Sequence, residues 1–159
     1  MNEPPPAELL RRLRPIPTYG SHPTTTPHDV AGVDPAGTAC TIELTGPVSP
    51  ALLLFLSSDC LGCRDLWEGA DALAALLPDA VRVVVISRGP EREDAAAIAA
   101  LAPAGVPTVM STEAFTAYRV QGAPFLVVVE GDVVRTEGVA WGVEETARTV
   151  RVALGGDSA

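Results

Sequence analysis

Cys60 and Cys63 are separated by two residues in the stretch LLLFLSSDCLGCRDLW. An apolar, strand-like run ends, a short polar loop follows, and the first cysteine opens a helix. A thiolate at a helix start faces unpaired backbone N–H groups and the positive end of the helix dipole, and both favour the charged sulfur. Cys63, one turn later, is within reach to close a disulfide with it. In this strand-to-helix setting the pair points to thiol–disulfide exchange. An inert pair and a metal site are the other two readings. A metal would need two further ligands from Cys40, His22 and His28, and the histidines lack ligand-pair spacing. Both histidines also precede residue 29, so they offer Cys60 no Cys–His nucleophile pairing. Cys40, between Ala39 and Thr41 on an expected strand, reads as a small buried hydrophobe, with a third redox thiol as the sharper alternative. No phosphate loop, catalytic triad or carboxylate pair is visible.

Positioning the cysteines requires a core, and 159 residues of which 47% are hydrophobic suffice for one domain. The net charge of −9 disfavours nucleic acid and anionic membrane surfaces, which leaves another protein as the expected partner. Three cysteines are too few for a disulfide-stapled scaffold. No stretch reaches the roughly 18 apolar residues that cross a bilayer, and the start, MNEPPPAELLRRLRP, lacks the apolar centre of a signal peptide. With Met1 as the native start the expected location is the cytoplasm. An extracytoplasmic domain trimmed of an anchor is the alternative, with Arg11, Arg12 and Arg14 as a juxtamembrane flank.

Eight of the fifteen prolines precede residue 36, so residues 1 to about 35 read as an extended leader that propagates neither helix nor ladder. The expected organisation is a leader over 1–33, one domain over 34–154 and a short disordered tail over 155–159. A turn over Asp34 to Gly37 leads to a short strand with Ile42 and Leu44, and Leu52 to Leu56 form a central strand covered on both faces. Leu66, Ala70, Leu73, Ala74 and Leu77 recur at helical spacing until Pro78. Strands are expected at Val81 to Ile86 and Val106 to Met110, and helices over 91–101 and from Ser111, whose side chain caps the start, to Tyr118. PFLVVVEGDVVRTEGV reads as a hairpin turning at Gly131 and Asp132, before a closing helix from about Val143 to Leu154. The order β-α-β-α-β-α-β-β-α predicts an α/β fold, a mixed central sheet with helices on both faces. The acidic residues Glu91, Glu93, Asp94, Glu144 and Glu145 read as solvated helix surface.

Three stretches, DPAGTACTIEL, SSDCLGC and YRVQGAPFLVVVEGD, together resemble the thioredoxin fold, and more narrowly the TlpA-like and MauD-like thioredoxins related to the peroxiredoxins. The resemblance covers about residues 34 to 154. It implies a thioredoxin-like fold with an N-terminal β extension and an inserted β-α unit. It further implies that the proline before the hairpin is cis and packs beside the cysteines, leaving backbone groups free for an extended substrate. Pro107 and Pro124 compete for that place, and Pro124 is preferred because a strand, a tight turn, a strand and the last helix follow it directly. The implied function is a protein disulfide oxidoreductase. Cys60 attacks a substrate disulfide and Cys63 resolves the mixed disulfide. Asp59, Leu61, Gly62, Ala123 and Pro124 would form the substrate surface. No cofactor or metal is implied. The implied partners are a protein disulfide or dithiol and an electron donor or acceptor.

The chain departs from that family in two places. Typical members carry Trp immediately before the first cysteine, where this chain has Asp59, and a buried acid six residues before it, where this chain has Leu54. Trp67, one turn after Cys63, reads as packing. These departures favour a rival, a non-enzymatic thioredoxin-fold module that binds a protein partner through the same groove. A peroxiredoxin-like peroxidase is a further alternative, but the Thr and Pro that precede a peroxidatic cysteine are absent, with Ser57 at the Thr position.

Overall fold

The structure is a computed structural model and describes residues 25–46 and 48–155. Among these, seven strands form one mixed sheet. They are β1 (Val30–Val33), β2 (Ala39–Ile42), β3 (Ala51–Phe55), β4 (Arg82–Ser87), β5 (Thr108–Met110), β6 (Phe125–Glu130) and β7 (Val133–Val139). Four helices connect and cover them: α1 (Leu61–Ala75), α2 (Ala95–Leu101), α3 (Thr112–Ala117) and α4 (Val143–Ala153). The strand order is β2-β1-β5-β4-β3-β6-β7.

The apolar run Ala51–Phe55 takes an interior place between β4 and β6, with every one of its side chains buried. It pairs in parallel with β4, Leu54 opposite Val85, and antiparallel with β6, Leu54 opposite Leu126. A parallel pair needs a crossover, and α1 supplies it between β3 and β4. Alternate residues of β3, continued by Leu56 just beyond it, then serve two cores. Leu52, Leu54 and Leu56 pack with Leu66, Leu73, Ile98 and Val150 under α1, α2 and α4. Ala51, Leu53 and Phe55 pack with Phe115 and Tyr118 of the α3 region. The Phe55 and Phe115 rings meet edge to face at 5.0 Å. That is the period-2 arrangement of a strand covered on both sides.

Several boundaries differ from those the sequence predicts. Val30–Val33, expected within the leader, is a strand paired with β2 along its length and with β5 at Val33–Met110. Pro27 and Pro35 flank this strand without interrupting it, so no ladder bond is lost to them. Gly32 is essential there, because a Cβ at that position would lie 2.2 Å from the Met110 carbonyl oxygen. His28 is also tied down: its backbone N–H donates to Tyr118 Oη, whose hydroxyl donates back to the His28 carbonyl. Residues 1–24, including Arg11, Arg12, Arg14 and His22, and residues 156–159 of the expected tail lie outside the described residues.

β2 stops at Ile42, short of the expected Leu44, because the Asp29 carboxylate accepts the Leu44 and Thr45 backbone N–H groups in place of a neighbouring strand. Helix α2 starts at Ala95 and not at residue 91. Arg92 and Glu93 bond back to the Gly89 carbonyl in a turn, and the Asp94 side chain caps the helix by accepting from Ala96 N. The cap at Ser111 has the expected form, its hydroxyl accepting from Ala114 N at 3.2 Å.

Candidate functional site

The site forms where β3 ends and α1 begins. Cys60 is the N-cap residue of α1, in an extended conformation at φ −102° and ψ 121°, and its carbonyl already accepts from Cys63 N at 3.1 Å. Its side chain is partly exposed. Cys63, one turn inside, is fully buried in the core that contains Leu66 and Trp67. The two sulfurs therefore occupy different surroundings: one meets solvent, the other the apolar interior.

Across the site lies the loop before β6. The Ala123–Pro124 peptide bond is cis, and the Cys60 thiol donates to the Ala123 carbonyl oxygen at 3.5 Å. Gly62 lies against the proline ring, since a Cβ on it would stand 3.4 Å from Pro124 Cδ and 3.9 Å from Cys60 Sγ. Pro107, the competing proline, leads into β5 at the end of the sheet from which the parallel strands set out. The cysteines follow the opposite end, at which β3 arrives.

The loop from 57 to 59 is held on three sides. Ser57 N donates to Cys63 Sγ at 3.5 Å, Trp67 Nε1 donates to the Ser57 carbonyl at 2.9 Å, and the Ser57 hydroxyl donates to Asp59 Oδ1 at 3.2 Å. Ser58 donates through its hydroxyl and its N–H to the two carboxylate oxygens of Glu93, at 2.7 and 3.2 Å. Glu93, expected as solvated helix surface, instead anchors this loop. Trp67 is buried as expected and also hydrogen-bonds.

Burial pushes the Cys63 thiol up to about 12, and the hydrogen bond to Cys60 and its charge add to that shift. The Ser57 N–H opposes it. Leu54, six residues before Cys60, is fully buried in the core that holds Leu52, Leu56 and Cys63. No carboxylate on β3 can therefore take a proton from Cys63.

Of the residues singled out from sequence, Cys60, Cys63, Gly62, Ala123 and Pro124 come together in one place. Leu61 is 87% exposed at the first turn of α1, and Asp59 is exposed beside it. Cys40 lies apart on β2, opposite Gly32, and is half-buried where full burial was expected. Its thiol is pushed up by desolvation, with the Asp34 charge adding. His28 is engaged with Tyr118 through its backbone and its ring. Among the described residues, no three His, Cys, Asp or Glu side chains gather as a metal site would require. None of the described helices is long and apolar enough to cross a membrane.

Sequence reasoning missed Trp141. Ala140 N donates to the Pro124 carbonyl at 3.3 Å, and the residue after it, Trp141, is 68% exposed. A single aromatic after a hairpin carries no periodic signal; only its place between β7 and Gly142 hinted at a loop.

No protein-family model matches the chain, and no curated protein matches its sequence. Solved structures do match. One is a secreted Mycobacterium tuberculosis disulfide oxidoreductase homologous to E. coli DsbE, at 19% identity over 77% of this chain and 94% of that one, TM-score 0.61. Another is a candidate thiol:disulfide interchange protein DsbE from Chlorobium tepidum, at 22% identity over 82% and 96%, TM-score 0.65. A third is the thioredoxin domain of a thiol-disulfide oxidoreductase from Bacteroides vulgatus, at 18% identity over 86% and 97%, TM-score 0.60. At such identities the likeness establishes the fold, and the chain has the thioredoxin fold.

Proposed function

We propose that the protein is a thiol–disulfide oxidoreductase that exchanges electrons between the Cys60–Cys63 pair and a protein disulfide. The observation that carries this reading is the inequality of the two sulfurs. A partly exposed Cys60 stands at a helix start against Ala123 and Pro124, and Cys63 is buried one turn behind it.

In the reducing direction, the Cys60 thiolate attacks one sulfur of the substrate disulfide. The Cys60–substrate S–S bond forms, the substrate S–S bond breaks, and one substrate thiolate leaves. Cys63 sulfur then attacks Cys60 Sγ. This closes the Cys60–Cys63 bond, releases the second substrate thiolate, and passes the Cys63 proton to a departing thiolate. The pair is oxidised by two electrons and the substrate disulfide is reduced by two. A dithiol donor protein restores the starting state by the same steps in reverse.

Chemistry local to the site supports the second step. Two of the influences that keep Cys63 protonated come from Cys60, its hydrogen bond and its charge. Once Cys60 is in a mixed disulfide its sulfur carries no charge and is a much weaker acceptor for the Cys63 thiol hydrogen, so Cys63 becomes easier to deprotonate when it is needed. The Ser57 N–H is placed to receive the charge that develops on that sulfur. Asp59, Leu61, Gly62, Ala123 and Pro124 form the surface that meets the substrate on this reading.

The rival binding module draws on one observation, the apolar burial of Leu54 where a proton acceptor would sit. A peroxidase receives no support, since the Ser57 hydroxyl is spent on Asp59 and its N–H on Cys63. A Cys63→Ser variant tests the reading. Mixed with a disulfide-containing protein such as insulin, it accumulates a covalent Cys60–substrate adduct that thiol removes, and Cys60→Ser forms none. Absence of adduct with Cys63→Ser, while Cys60→Ser still binds a partner, would establish the binding module instead.

A further inference from the structure

Arg119 occupies a position where the backbone favours glycine. It follows α3 with φ +59°, in the left-handed region, the one described residue other than glycine with positive φ. Both bonds of the helix closure are made, Arg119 N to the Thr116 carbonyl at 3.1 Å and Val120 N to the Phe115 carbonyl at 2.8 Å. Glycine is the usual residue at that point because it alone carries no Cβ penalty there. Residues other than glycine in this region cluster at active sites, ligand clamps and switches.

Nothing within the described residues uses the Arg119 side chain. It is exposed and makes no ion pair, hydrogen bond or ring contact there. It lines a groove of about 640 Å³ together with Ala123, Pro124, Phe125 and Glu137. Ala123, whose carbonyl accepts from Cys60 Sγ, also lines this groove, so the groove and the reactive sulfur share that residue. A second guanidinium, from the connection after β4, reaches the same loop. Arg88 sits 4.2 Å from the Phe115 ring centroid and donates to the Gln121 carbonyl at 3.5 Å. In a chain of net charge −9, Arg119 is the one cation lining this groove, and Arg88 stands behind it through the Gln121 carbonyl. Glu137 is the one carboxylate lining the groove.

We propose that Arg119 determines specificity by binding a carboxylate side chain that flanks the reactive cysteine of the protein substrate. This rests on the oxidoreductase reading above and adds the substrate class: disulfides set in acidic segments. Glu137 opposes such a segment and limits how much acid the groove accepts.

The test uses the reduced full chain and two synthetic peptides, identical except for Glu or Arg two residues from a single cysteine that carries a 2-thiopyridyl disulfide. Attack by Cys60 on the peptide sulfur forms the mixed disulfide and releases pyridine-2-thione, read by absorbance. At low ionic strength the acidic peptide reacts about threefold faster, the advantage an exposed charge pair provides. High salt removes the advantage. Arg119→Gln abolishes it, Arg119→Lys keeps most of it, and Glu137→Gln enlarges it. Arg119→Gly relieves the left-handed backbone, so Tm rises while the preference is lost, which a purely structural role for Arg119 would not produce. Equal rates for the two peptides, or a ratio unchanged in Arg119→Gln, would overturn the assignment and leave the oxidoreductase reading intact. Reaction of neither peptide at Cys60 would overturn both.

Discussion

Trp67 donates its indole N–H to the Ser57 carbonyl, and the N–H of that same Ser57 donates to Cys63 Sγ. The peptide groups on either side of Ser57 are thereby held between a core aromatic and the buried sulfur. Removing the indole donor releases this arrangement. Trp67→Phe loses one hydrogen bond to a half-buried carbonyl and some packing, and should cost about 1–3 kcal/mol of stability in denaturant titration. It should also slow the disappearance of a Cys60 mixed disulfide, measured by quenched-flow trapping, since the Ser57 N–H no longer sits firmly against Cys63.

The unequal burial of the two sulfurs predicts unequal alkylation. Treated with limiting iodoacetamide in the reduced, folded state, Cys60 should carry the first adduct and Cys63 none. Peptide mapping by mass spectrometry reads the outcome. In denaturant both should label alike, because burial is what protects Cys63.

The raised Cys63 thiol has a consequence for stability against pH. An unfolded cysteine begins to lose its proton near the ordinary value of 9.0, whereas the folded thiol holds it to about 12. Between these values the folded state binds more protons than the unfolded, so stability falls as pH rises through that window. Tyr118, also raised through desolvation, contributes in the same direction at higher pH. Oxidation to the Cys60–Cys63 disulfide removes the thiol and its share of the slope. Denaturant unfolding of reduced and oxidised protein across this range should show the steeper loss in the reduced form.

Gly32 permits β1 to approach β5, and Gly32→Ala places a methyl carbon on the Met110 carbonyl. The backbone must move, and the expected cost is about 2 kcal/mol, read as a lower denaturant midpoint. Unchanged stability would mean that β1 does not belong to the folded unit.

The core of the fold was legible because its signals are periodic or local. The unbroken apolar run of β3, the helical spacing of Leu66, Ala70 and Leu73, and the Gly131-Asp132 turn each correspond to one element. β1 was not legible, since only Val30 of its four residues is buried and prolines stand close to both ends. Its place is set by long-range partners, the β2 ladder and the Tyr118 hydroxyl, which a local pattern cannot carry. The same holds at the site. The meeting of Cys60, Cys63 and Pro124 was legible from motif and order, but the Glu93 contact with Ser58 and the place of Arg119 in the groove with Ala123 depend on neighbours that folding supplies. Glu93 in particular read as solvent-facing helix surface because its helix was expected to begin four residues too early.

The central claim is that Cys60 and Cys63 cycle between dithiol and disulfide. It is tested most directly by equilibrating the protein in graded thiol/disulfide buffers, trapping free thiols by alkylation, and reading the pair by mass spectrometry. A single reversible two-electron transition between about −300 and about −120 mV, lost in Cys60→Ser, is the predicted result, with its midpoint placing the protein among reductants or oxidants. A pair that stays in one state across the whole series would contradict the account and leave a thioredoxin-fold binding module in its place.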